Sequence, residues 1–511
     1  MPHCGGNSPF MKEAINACLS EFDGPVEATI TGVHTAYSNG SLTAQKLTRM
    51  YLDRIAACDQ KGPMLNAIIT INPASLERAA SLDKACQRWG FVGPLHGIPL
   101  IVKDNLNTKD MPTTGGSESL RYSQPSEDAF VIRKLREAGA IILAKSSMSE
   151  FAWGSTDTIN SVLPGYVRNP YNTAYASGGS SGGTGAAIAA SFAVAGLGTD
   201  TGLSIRSPAS INCLVGLRPT FGLVSCNGLI PMNADWDTVG PMTRTVKDLA
   251  LLLDVMATPQ SVNNSTIENH GMDTKPFSLG LVDDAVHGMR IGVLRQTFSP
   301  MESDAEIIHL ADQAILDLET AGAQIIDPLV IPEVEDTGQP ADWYMRFKHD
   351  LNRYLATLGP DALVKTLQEI INSKKVNPFC LDILKKHEAW QYNLENDPNI
   401  PAKQEVKKRL QKGFLDAIKK WKLDAIIFPT FNYRPKKNGD PNTPSGSNNL
   451  YASITGFPAL VVPMGFAKTG LPIGLQFLGV PWSESTLIRT GYCYEQISRH
   501  RKAPPIQTNL D

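Results

Sequence analysis

Short runs in which every residue is apolar, each beside a stretch with helical periodicity, constrain this chain more than any other feature. Ala140-Ile141-Ile142-Leu143-Ala144 follows a segment opened by Asp128, with Val131, Leu135 and Ala138 on one face, and stopped by Gly139. A strand without polar alternation is buried on both faces, as happens when helices cover both sides of a mainly parallel sheet. Ile98-Pro99-Leu100-Ile101-Val102 is a second such run, starting at or just after Pro99 and delivering Lys103 at its end. Residues 182–192 are rich in Ala and Gly, which suits a helix packed closely on its neighbours, and residues 192–198 return as an apolar strand. The fold class that follows is α/β.

Elsewhere the punctuation is equally local. Ser41 is expected to cap a helix in which Leu47, Met50, Tyr51 and Ile55 form one apolar stripe. Residues 258–266 turn polar and read as a surface connection. Between about 300 and 425, amphipathic segments such as 305–321 and 343–358 alternate with Pro-marked loops, which predicts a helical elaboration. Residues 460–464 and 473–478, joined through Lys468-Thr469-Gly470, predict a hairpin returning to the sheet.

Composition excludes several classes of function. At 511 residues the chain can bury a large core, and with 42% hydrophobic residues, 19% charged residues and a net charge of −3 it has no basic field for nucleic acid. Residues 1–19 show no basic segment leading into a long apolar run, so neither a signal peptide nor a membrane span is expected, and the expected location is cytoplasmic. The eight cysteines lack any C-x-x-C pair and read as reduced thiols. The nine histidines lack H-E-x-x-H spacing, so no metal or other cofactor is expected, and His96 is read as structural.

Two Gly/Ser-rich segments carry the chemistry: Ser177-Gly178-Gly179-Ser180-Ser181-Gly182-Gly183 and Gly198-Thr199-Asp200-Thr201-Gly202-Leu203-Ser204-Ile205-Arg206. Glycines at such junctions let backbone N–H groups reach a ligand, as a phosphate cradle or an oxyanion hole does. Neither segment ends in G-K-[ST] or completes G-x-G-x-x-G, and no G-x-S-x-G elbow surrounds Ser204. Lys103, after five apolar residues, is placed for burial, which favours the neutral amine that a general base needs.

Taken with Gly97-Ile98-Pro99-Leu100-Ile101-Val102-Lys103-Asp104-Asn105, the two serine segments resemble the motifs of the amidase signature family in order and spacing. The resemblance extends through Ala138 to Lys145, Gly240-Pro241-Met242-Thr243-Arg244 and Gly470 to Gln476, and is weakest between 260 and 440. It implies a single large mixed sheet flanked by helices, with residues 1–28 as an N-terminal segment, 29–500 as the amidase signature domain and 501–511 as a tail. Within that domain the divergent, substrate-facing helical region spans about 260–440.

The resemblance also implies roles. Ser204 is the expected nucleophile, Ser180 the relay held after a cis peptide from Gly179, and Lys103 the base. Oxyanion donors are expected from the backbone of Thr201, Gly202, Leu203 and Ser204, with Gly154 supplying substrate-facing backbone. Ser181, Asp200 and Arg206 are read as loop supports, Ser181 also as a hydrogen-bond partner of Lys103. Leu203 replaces a family glycine, so its side chain narrows the pocket, and a need for φ > 0 there would add about 1–2 kcal/mol of strain.

The function expected from this set is hydrolysis of a small or peptide-like carboxamide through a seryl acyl-enzyme, releasing an acid and ammonia or an amine. Phe347-Lys348-His349-Asp350-Leu351-Asn352-Arg353-Tyr354-Leu355 resembles family members acting on C-terminal peptide amides. Acyl transfer from the same intermediate and a catalytically silent binding protein stand as alternatives. The family also includes the glutaminase component of a tRNA-dependent amidotransferase, for which residues 260–440 give no particular support. The expected partners are the amide substrate and, as an open assembly, a second copy in a homodimer, with no nucleic acid and no membrane.

Overall fold

The computed structural model describes residues 22, 24–154, 156–257, 275–301, 303–335, 346–392, 394–442 and 446–506. Its strands in chain order are β1 (Ile68–Ile71), β2 (Pro99–Lys103), β3 (Ile141–Ser146), β4 (Arg168–Asn169), β5 (Asn172–Ala176), β6 (Ala195–Asp200), β7 (Val215–Arg218), β8 (Thr238–Thr243), β9 (Arg290–Val293), β10 (Gln324–Ile326), β11 (Ala425–Pro429), β12 (Ala459–Phe466) and β13 (Pro472–Leu478). Eleven of them form one sheet in the order β1-β3-β2-β6-β8-β7-β12-β13-β11-β9-β10, and β4 pairs with β5 apart from it. The α/β class and the single mixed sheet are as expected.

The three apolar runs become β3, β2 and β6, buried along their whole length and hydrogen-bonded side by side in parallel. Parallel pairing brings the C-terminal ends of β2 and β6 to one edge of the sheet, where loops can carry chemistry. The crossover helices Phe130–Glu137 and Gly182–Ala189 cover them. Every residue of the second is buried, and its glycines are needed for closeness: a Cβ on Gly183 would sit 2.2 Å from the Ser147 carbonyl oxygen.

Local expectations at helix starts need correction. The helix Ala44–Cys58 is capped by Thr43, whose hydroxyl accepts from Lys46 N–H at 3.1 Å, while Ser41 Oγ bonds the Ala36 carbonyl. Asp128 caps nothing: it accepts from Lys109 N–H and pairs with Arg136, and the helix starts at Phe130 after Ala129. Gly139 does stop that helix at φ +95°. The hairpin is β12–β13. Residues 258–266 lie outside the described residues.

The 260–440 region is not purely helical. It supplies β9, β10 and β11 to one edge of the sheet, besides the helices Ala305–Thr320, Phe347–Ala356, Leu367–Asn372, Pro378–Glu388 and Asn399–Trp421. A separate apolar cluster joins Phe347, Leu351, Tyr354 and Leu384 of those helices to Met148, Phe151, Trp153, Ile230 and Met232 of the body. The helical region is thereby fastened over the sheet edge that carries Lys103. No helix among the described residues is long and apolar enough to cross a membrane.

Candidate active site

Lys103 ends β2, and Thr199 stands one residue before the end of the adjacent β6. Lys103 Nζ donates to Ser180 Oγ at 2.7 Å, to Thr199 Oγ1 at 2.9 Å and to the Thr199 carbonyl at 3.4 Å. The side chain is fully buried, and that desolvation pulls its pKa from 10.5 to about 7 against the opposing charges of Asp200 and Asp237. Both protonation states are therefore accessible near neutrality.

The turn after Lys103 is held by a second buried lysine. Lys145 Nζ donates to the Leu106 carbonyl at 2.6 Å and to Thr113 Oγ1 at 2.9 Å, and lies 3.5 Å from Asp104. Asp104 in turn accepts from the hydroxyl and N–H of Thr114. Asn105 Nδ2 donates to Thr199 Oγ1 at 3.0 Å, so Lys103 and Asn105 share one hydroxyl.

Ser180 is fully buried and follows a cis Gly179–Ser180 peptide, as expected. A Cβ on Gly179 would lie 2.5 Å from the Gly154 carbonyl oxygen, which places Gly154 (φ +148°) against the serine loop. Ser181 departs from expectation: its hydroxyl donates to the Thr199 carbonyl at 3.2 Å and accepts from Thr199 N–H at 3.3 Å, with no bond to Lys103. Ser180 takes the amine, and Ser181 clips the backbone of β6.

Ser204 precedes the helix Arg206–Ile211, and its carbonyl accepts from Ser181 N–H at 3.3 Å, which brings the two serine segments together. Its side chain makes no hydrogen bond to Ser180 or to any other described residue, and it is 6% exposed. Lys103 and Ser180 are thus in direct contact, with Ser204 beside them.

The loop from Asp200 to Ser204 is held from one side. Asp200 accepts from Arg206 Nε at 3.1 Å, Arg218 Nη1 at 2.8 Å and Ile205 N–H at 3.1 Å. Burial alone would raise its pKa, but the two guanidinium groups outweigh it and hold the carboxyl well below the usual range. Arg206 Nη2 also donates to the Gly202 carbonyl at 2.9 Å, and Ser453 Oγ grips the same oxygen at 2.8 Å. In a trans peptide the next N–H points opposite to the carbonyl, so Leu203 N–H faces away from Arg206. The N–H groups of Gly202, Leu203 and Ser204 donate to no other described residue.

Thr201 Oγ1 donates to Asp237 Oδ1 at 2.5 Å, and burial pushes that carboxyl up to about 6 against the hydrogen bonds it accepts. Leu203 is partly exposed and is not among the described residues with positive φ, so the strain considered for it does not arise. His96 lies away from this site, its ring stacked on Phe91 at 4.9 Å and accepting from Val92 N–H. Thr199, Asn105, Arg218 and Asp237 escaped the sequence reading. Thr199 and Asn105 sit inside the quoted motifs, but Arg218 and Asp237 reach the site only through pairing of β7 and β8.

Comparison with known proteins agrees with this arrangement. A family model described as Amidase matches residues 46–488. A glutamyl-tRNA(Gln) amidotransferase chain from Alkaliphilus metalliredigens is 34% identical over 486 residues, covering 92% of this chain and 96% of that protein. The native peptide amidase of Stenotrophomonas maltophilia superposes with a TM-score of 0.84 at 35% identity, covering 94% of this chain and 99% of that one. The corresponding glutamyl-tRNA(Gln) amidotransferase chain of Thermotoga maritima superposes with a TM-score of 0.73 at 26% identity, covering 96% and 99%. With a family model spanning most of its length and the lysine and serine segments meeting at one sheet edge, the chain belongs to the amidase signature family of amide-cleaving serine enzymes.

Proposed function

We propose that residues 29–500 form a hydrolase of peptide-like amides in which Ser204 attacks the carbonyl, Ser180 relays the proton and Lys103 accepts it. The observation that carries this is the 2.7 Å contact from a fully buried Lys103 to Ser180, in an environment that favours the neutral amine. Neutral Lys103 takes the Ser180 proton as Ser180 takes that of Ser204, and the path reverses to protonate the leaving nitrogen. Water then releases the acyl group. N–H groups of Thr201, Gly202, Leu203 and Ser204 stabilise the tetrahedral oxyanion, while Gly154 lines the substrate path and Ser181 steadies the loop.

Peptide-like substrates are favoured by the likeness to the S. maltophilia peptide amidase, with a higher TM-score and identity than the T. maritima amidotransferase chain. A second reading, a glutaminase working within an amidotransferase, is favoured by 34% identity to the A. metalliredigens amidotransferase chain. Assaying ammonia release from C-terminal peptide amides, simple amides and glutamine separates them: turnover of peptide amides by the protein alone supports the first, and turnover of glutamine alone the second. Alcohol and amine acceptors added to the same assay test acyl transfer. The reading keeps the enzyme in the cytoplasm, and size-exclusion chromatography tests a homodimer.

A further inference from the structure

Between the loop before Ser204 and the helical region runs a short turn, residues 231–237, which borders open space at several positions. Pro231, Ala234 and Asp237 line a cavity of about 700 Å³, and Asn233, Asp235 and Trp236 line another of about 550 Å³. Met232 and Trp236 anchor the turn in the apolar core, and hydrogen bonds fix the positions that face the cavities.

Two buried carboxylates supply them from opposite sides. Asp237 accepts from Thr201 Oγ1 at 2.5 Å with one oxygen, and from Met232 N–H at 2.9 Å and Asn233 N–H at 3.0 Å with the other. Asp350, on the helix Phe347–Ala356, accepts from Ala234 N–H at 2.9 Å and from Arg346 Nε at 2.5 Å. Arg346 also pairs with Asp235 of the turn. Ile230 and Met232 pack in the cluster with Phe347 and Leu351. A continuous path therefore runs from the helix through Asp350, the turn and Asp237 to Thr201, three residues before Ser204.

We propose that the 231–237 turn is a strut that sets the oxyanion loop from the helical region, with Asp237 and Asp350 as positioning residues for amide cleavage. The proposal rests on Ser204 as nucleophile and on the Thr201 to Ser204 backbone as oxyanion donors. Preorganised donors act by being held at the site of developing charge, so a small displacement of Thr201 lowers the rate more than it lowers substrate affinity.

The test uses the full chain. Thr201→Val removes only the hydroxyl and leaves the backbone N–H. It and Asp237→Ala are expected to lower kcat by about tenfold or more, with KM changing less than about threefold. Affinity for a peptide aldehyde, which mimics the tetrahedral state, should fall by a similar factor. Asp237→Asn should retain most activity, because its oxygen can accept from the two N–H groups while its amide donates to Thr201 Oγ1. Asp350→Ala should slow the wild-type enzyme but add little to Asp237→Ala, since both act through one strut.

Unchanged kcat in Thr201→Val, or multiplicative losses for the two aspartates, overturns the proposal. Should Asp237→Ala fail to fold, pairing Thr201→Val with Asp350→Ala gives the same cycle. Fluorophosphonate labelling separates the two levels: a wild-type enzyme unlabelled at Ser204 sinks the nucleophile assignment and the strut together. Labelling at Ser204 with uncoupled losses sinks the strut alone.

Discussion

At the scale of single residues, the proposed chemistry turns on the state of one amine. Charged Lys103 cannot accept a proton, so kcat/KM should rise with pH through a limb near 7 when chemistry limits the rate. Lys103→Ala should lose that limb from whatever activity remains, and a pH–rate profile of both forms checks it. Leu203 has no positive φ to relieve, so Leu203→Gly trades a partly exposed side chain for a looser loop. The expected outcome is a broader acyl range with a modest rate loss, read as the kcat/KM ratio of a short to a bulky acyl amide. An unchanged ratio counts against Leu203 as a wall of that pocket. The placement of Lys103, Ser180 and Ser204 near one another was legible because each lies within a motif next to a strand or helix end. Asp237 was not, because its link to Thr201 spans 36 residues and depends on strand pairing.

At the scale of elements, close approach decides what the serine loops tolerate. A methyl group on Gly179 would meet the Gly154 carbonyl at 2.5 Å and Ser149 Oγ at 3.1 Å, so one of the two loops must move. Gly179→Ala should then cut kcat/KM by about 10²-fold, the size of loss that follows a displacement of roughly 1 Å. Steady-state kinetics with circular dichroism separates this from unfolding. The apolar runs predicted β2 and β3 closely, since burial on both faces leaves a plain signal, whereas β6 begins at Ala195, three residues later than the run at 192. β9 and β10 were missed for the opposite reason: Arg290–Val293 and Gln324–Ile326 are four and three residues long, and their place at the sheet edge is a tertiary choice. Helix starts misled where two polar residues compete, as with Ser41 and Thr43, because backbone geometry at the cap decides which side chain can reach an N–H.

At the scale of the whole molecule, the buried lysine lowers stability, a cost that the proposed role of Lys103 as base accounts for. Below about pH 7 Lys103 is charged in folded and unfolded chains alike, and its desolvation costs the folded state in full. Between about 7 and 10.5 the unfolded chain binds a proton that the folded chain does not, so stability rises with pH across that window. Lys103→Met should therefore melt above the wild type at pH 7, by about a few degrees, with a smaller gap at pH 9. Differential scanning calorimetry at the two pH values measures it, and a gap that widens with pH contradicts the depressed pKa. The fold supports the proposed arrangement by placing β2 and β6 side by side under a helical region, so that one sheet edge holds Lys103, Ser180 and the loop that carries Ser204. The most direct test of that account is peptide mass spectrometry of an acyl-enzyme trapped by rapid acid quench during amide turnover. The account predicts an adduct on Ser204, absent from Ser204→Ala, whose turnover falls by about 10³-fold or more. An adduct on any other residue, or undiminished turnover by Ser204→Ala, contradicts it.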